Sequence, residues 1–242
     1  MGLAQGHRHA QTALAKALSA SKLSAGAAGE SRSGEPMSAF EFFFSFYGLL
    51  LGLSVGVLAT GAARAFKHRK TQPVGWLTPL LAIFVALDVA TFWDSAWVNY
   101  RALPFSYGLL IGGMVVAVVY FIAAALVFPD DSDPKAPLDE HFWANKRAIL
   151  GLLILANVLG AFGQLAVNLT RENGMALALN YAFNLGLYIV MVGGAAITKR
   201  RWLFGLLLGL HTALYLVIAV LSVTQPPHPD SPLAKAQAEA SQ

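Results

Sequence analysis

Asp88 is an acid inside a long, mostly apolar run over roughly 75–97. A charged side chain within a membrane-spanning segment costs about 2.5–3.5 kcal/mol on insertion scales, so it normally faces the bundle interior. Thr91, Ser95 and Asn99 follow Asp88 at helical spacing and continue one polar face. A carboxylate in that position can bind a cation or carry a proton. His211, the one histidine inside a predicted span, can relay a proton because imidazole changes charge near neutral pH. Asp94 lies off the Asp88 face and nearer the outer boundary. With Glu41 at the start of the first span it would form an entrance.

Uncharged partners come from the second half of the chain. Asn157, Gln164 and Asn168 share one helix face, as do Asn180, Asn184 and Tyr188, while His211, Thr212 and Tyr215 cluster in the last span. If these faces converge they line a polar track. Asn157 and His211 are expected toward its inner half, with Asp88, Gln164, Asn180 and Asn184 from the middle outward. A structural reading competes with this one. Asp88 then stays neutral, and the amides bond across helices as glue worth about 0.6 kcal/mol each.

Other chemistries find little support. The chain has no cysteine, which excludes disulfides, thiolate catalysis and cysteine-ligated metals. It has no HExxH or GxSxG motif, and a lone intramembrane histidine is a poor start for a haem site. Asp130, Asp131, Asp133 and Asp139 loosely resemble a calcium loop, but the mid-loop glycine is missing and Pro134 and Pro137 intervene. Neither an enzyme nor a bound cofactor or metal is expected. The net charge of +4 does not point to nucleic acid, because the cations sit beside apolar spans, where they set orientation.

The elements that must hold these side chains are plain. Of 242 residues, 56% are hydrophobic and 12% charged. Six runs, roughly 39–63, 75–97, 104–128, 148–168, 175–197 and 202–224, each reach the ~20 apolar residues needed to cross a ~30 Å hydrocarbon core. Lipid offers the backbone no partner, so such runs must be helical. The expected fold is an all-α polytopic membrane domain over 38–224, a single six-helix bundle in contact with the lipid bilayer. Flanking it are disordered tails at 1–37 and 225–242. Met37 is an alternative start, since the preceding stretch is basic and rich in Ala, Ser and Gly.

The first, third and fifth connections carry ten Lys and Arg residues, and the second and fourth carry only Arg101 and Arg171. The odd-numbered connections should therefore be cytoplasmic, with both termini outside. Trp76, Trp143 and Trp202 fall at the inner boundaries so assigned, and Trp97 at an outer one. Size and composition suit a bacterial inner-membrane protein. Leu138 to Lys146 reads as a short interfacial helix, with Phe142 and Trp143 dipping into lipid.

Two further patterns concern architecture. Tyr107-Gly108-Leu109-Leu110 opens span three much as Phe204-Gly205-Leu206-Leu207 opens span six. A 3+3 inverted repeat would leave this pattern, and so would chance in a chain rich in glycine and leucine. Gly48, Gly52 and Gly56 form a stripe in span one, with shorter pairs at Gly108/Gly112 and Gly205/Gly209. Small residues let helices approach closely in lipid, within the bundle or toward a second copy or membrane partner. Two functions remain open: a small transporter or channel for a proton, cation or small polar solute, or a non-transporting accessory or scaffold subunit.

Overall fold

The computed structural model describes residues 39–70, 75–100, 106–129, 138–169 and 173–224. Both predicted tails, most of the acidic third connection, Arg101 and Arg171 lie outside the described residues. The described residues form six α-helices: α1 (Ala39–Lys67), α2 (Leu77–Tyr100), α3 (Tyr107–Ala125), α4 (Leu138–Leu169), α5 (Gly174–Ile197) and α6 (Arg201–Thr224). Each is long and apolar enough to cross a membrane. The helices from Phe43 onward belong to one compact unit.

Local chemistry fixes several helix ends. The Ser106 side chain accepts a hydrogen bond from the Leu109 amide at 3.2 Å and caps the start of α3. Asp139 and Glu140 occupy the first turn of α4, where carboxylates complement the positive end of the helix dipole. Pro79 is tolerated in the first turn of α2, where amides have no intrahelical partner.

The sequence places a separate interfacial helix at 138–146, but α4 runs unbroken from Leu138 for 32 residues. At 1.5 Å per residue that is about 48 Å, well over the hydrocarbon thickness. Its first turns are held by protein rather than lipid. Phe142 is buried, with its ring 4.9 Å from Phe204 at the start of α6, and Leu138 is buried as well. Asp139 forms an ion pair with Arg201 at 3.1 Å.

Helix α4 is central and packs on α2, α3 and α5, while α6 closes against α2 and α5. At one end of the bundle the starts of α2, α4 and α6 meet the end of α5. Lys146, a residue expected to mark the inner loops, is buried there. Its Nζ donates to the carbonyls of Ala195 at 3.0 Å and Ala196 at 3.1 Å, and also to that of Thr198. It thus caps the C-terminal end of α5, where carbonyls lack intrahelical donors and the dipole favours a cation. The same half of the bundle is filled by Leu77, Leu81, Phe84, Leu150, Leu153 and Leu208, all essentially inaccessible.

The opposite surface of α5 and α6 exposes Leu179, Phe183, Val190, Leu210, Val217 and Val220. An apolar belt of this extent fits lipid and not water.

Aromatic rings, more than small-residue contacts, fill the gaps between helices. A Cβ on Gly48 would lie 2.9 Å from Trp93, and one on Gly205 2.4 Å from Trp76. Gly52, Gly56, Gly112 and Gly209 have open space at that point, and Gly108 meets only the capping Ser106 hydroxyl at 4.0 Å. Among the described residues those five positions carry no close approach of another helix.

Candidate functional site

Asp88 is 1% exposed, and five helices each contribute one side chain to its carboxylate cluster. Tyr215 of α6 donates to Oδ1 at 2.6 Å. Tyr120 of α3 and Tyr188 of α5 donate to Oδ2 at 3.1 and 3.2 Å, and the Asn157 amide of α4 donates to the same oxygen at 3.0 Å. Asn157 Nδ2 is also 3.0 Å from the Leu153 carbonyl and 3.1 Å from each of the Tyr120 and Tyr188 hydroxyl oxygens. An amide has two hydrogens for these four acceptors, so the bonds are shared within the cluster.

Among the described residues no Lys or Arg reaches ion-pair distance of Asp88. Burial of an unpaired carboxylate is costly unless hydrogen bonds replace its water. Here four neutral donors do so, and the cluster carries no built-in counter-charge.

A crevice of about 250 Å³ ends at this cluster. From Asp88 it follows Thr91, Ser95 and Tyr100 along α2, Gln164 along α4, and Asn184 and Tyr181 along α5. It therefore extends toward the end of the bundle away from Lys146. Thr91 and Asn184 are exposed, Gln164 is buried and Asn157 half-buried, so the polar wall joins surface and interior side chains. On the far side of Asp88 lies the apolar packing around Phe84, Leu81 and Leu153, and the crevice does not continue through it.

The residues singled out in the sequence divide clearly. Asp88, Asn157, Gln164, Asn184, His211 and Tyr215 line the one crevice. Asn180 is exposed and does not line it, although its side-chain oxygen accepts from Asn184 Nδ2 at 2.6 Å. Asp94 is exposed and lies apart from the crevice. The side chains of Glu41 and Asn168 fall outside the described residues.

The expected depth of Asn157 needs correction, because it meets Asp88 directly and does not sit below it. Counting α4 from residue 148 set the membrane level too late in the helix. Measured from Trp143, Asn157 lies about 21 Å along its helix, close to the ~18 Å from Trp76 to Asp88.

His211 is 5% exposed, and its Nδ1 has no hydrogen-bond partner. The ring stands edge-on to Tyr215 at 4.8 Å, Tyr188 at 5.3 Å and Phe84 at 5.7 Å. Aromatic packing, not a proton wire, accounts for these contacts of the ring. His211→Phe should therefore keep the fold and change thermal stability by no more than about 1 kcal/mol, since it removes a buried unpaired nitrogen. Unfolding in detergent checks this, and a large loss would reveal a polar bond that His211 makes in another state.

Sequence reasoning missed Tyr120 and undervalued Tyr188 and Tyr100. Tyrosine usually sits at headgroup level, so a tyrosine deep in an apolar run such as Val118-Val119-Tyr120 was the available signal. Tyr100 donates to the Gly160 carbonyl at 3.2 Å across the α2–α4 seam. No protein-family model, curated protein or solved structure matches the chain.

Proposed function

We infer that the chain is a small membrane carrier that moves a proton, cation or small polar solute by way of Asp88. One observation carries this reading: a crevice lined by Thr91, Ser95, Gln164 and Asn184 as well as apolar side chains reaches the buried carboxylate from one end, and packed apolar side chains close the other end. A continuous pore would need a polar path on both sides of Asp88. A closed end favours binding followed by rearrangement, as alternating access requires. The positive-inside rule favours a cytoplasmic Lys146 end, which in a bacterial inner membrane would leave the crevice mouth and both termini outside.

The absence of native cysteine allows a direct test. Single cysteines at Ser95 and Asn184 should react with a membrane-impermeant thiol reagent added from one side. Cysteines at Leu81 and Leu153 should not. Protection of Ser95→Cys and Asn184→Cys from both sides would overturn the reading.

The scaffold alternative has one observation of its own. Gly52 and Gly56 face open space beside exposed Leu49 and Leu53, a surface on which a second copy could pack. Cross-linking between two Gly56→Cys copies, with no solute uptake under any gradient, would favour it.

A further inference from the structure

The composition of the crevice wall restricts what it would hold. Asp88 is the only acid that lines it, and no Lys or Arg does so among the described residues. An anion would meet a carboxylate with nothing to offset it. A divalent metal ion wants several oxygen or nitrogen ligands with more than one charge, and no group of three or more His, Asp or Glu residues forms among the described residues. Both Asp88 oxygens already accept hydrogen bonds from protein donors, which leaves few free acceptor positions for a hard, strongly hydrated ion.

The wall does offer ring surface beside the acid. Phe92, Tyr100, Tyr181, Tyr188 and Tyr215 all line the crevice. Aromatic faces attract cations through their quadrupole, most strongly where water is excluded, and quaternary and primary ammonium groups are the usual partners. These groups are also less demanding of fixed coordination than metal ions. A volume of about 250 Å³ is several times the ~30 Å³ share of one water. It falls just below the ~300–1,000 Å³ of sites for drug-sized ligands. The occupant is therefore a solute of a few heavy atoms.

We propose that the crevice binds a small organic ammonium ion, with Asp88 supplying charge and the surrounding tyrosine and phenylalanine rings supplying contact surface. This rests on the carrier reading and names its substrate class.

The test measures how fast an impermeant maleimide labels Ser95→Cys in the reconstituted full chain. Labelling is followed with added tetramethylammonium, ethylammonium, sodium or acetate at matched ionic strength, and with tert-butanol as a neutral isostere. The two ammonium ions should slow labelling about tenfold, while the others leave it unchanged. Asp88→Asn should abolish the protection. Tyr181→Leu, which touches none of the Asp88 bonds, should weaken tetramethylammonium protection severalfold, and it keeps the test valid if the Asp88 variant misfolds.

Equal protection by tert-butanol, or labelling that no ammonium slows, would overturn the substrate class while leaving the accessible crevice intact. Absence of labelling without any solute would instead contradict the carrier reading, and the substrate class with it.

Discussion

Asp88→Ala should destabilise the bundle by roughly 2–3 kcal/mol. Four side-chain donors from α3, α4, α5 and α6 converge on the carboxylate, and alanine leaves them no acceptor. Interhelical hydrogen bonds in membranes average about 0.6 kcal/mol, because the unfolded chain in lipid also finds partners. The empty space left by the carboxyl adds a packing loss. Asp88→Asn should behave differently, with a cost within about 1 kcal/mol. The amide keeps the shape, and tyrosine hydroxyls can donate or accept, so they can turn to match it. Thermal unfolding of the purified variants in detergent separates the two. Equal stability of Asp88→Ala and wild type would mean that the cluster does not tie the helices together.

Lys146→Met should be the second large effect, a loss of about 3 kcal/mol. Methionine fills similar space but gives up the donations to the end of α5 from a buried ammonium. Hydrogen bonds from a charged group are worth about 1.5–3 kcal/mol, and loss of the cation also removes its favourable contact with the helix dipole. Trp143 and Phe204, whose ring centroids lie 4.7 and 5.5 Å from Nζ, would lose a cation–π partner. Hydrogen exchange at Ala195–Thr198 should report local fraying of α5 before global unfolding. Protection there equal to wild type would show that Lys146 is not the cap.

The six helices were legible because apolar length alone determines them in lipid, and their observed ends fall within a few residues of those expected at five of six starts. The exception is informative. Residues 138–146 carry enough charge to read as a separate interfacial helix outside span four, yet Phe142 and Lys146 turn inward, and each meets a partner far along the chain. Hydropathy averages over a window and cannot register such pairings.

The site was half legible for a related reason. Asp88, Asn157, Gln164 and Tyr215 stand out as polar residues in apolar runs. Their convergence depends on helix rotation and relative depth, neither of which periodicity supplies. Asp94 is an aspartate like Asp88 and only six residues away, but it is exposed while Asp88 is buried. The glycine stripes were the least informative signal. The same spacing that permits a close approach does not say whether any helix makes one.

Flux in proteoliposomes tests the central claim most directly. Wild type and Asp88→Asn would be reconstituted side by side, with fold confirmed by unfolding temperature, and imposed proton, sodium and alkylammonium gradients followed in turn. Wild type should dissipate at least one of these gradients, and the variant should reduce that rate at least tenfold. Equal rates in a folded Asp88→Asn, or no movement of any solute by wild type, would contradict the assignment of Asp88 as the transport site.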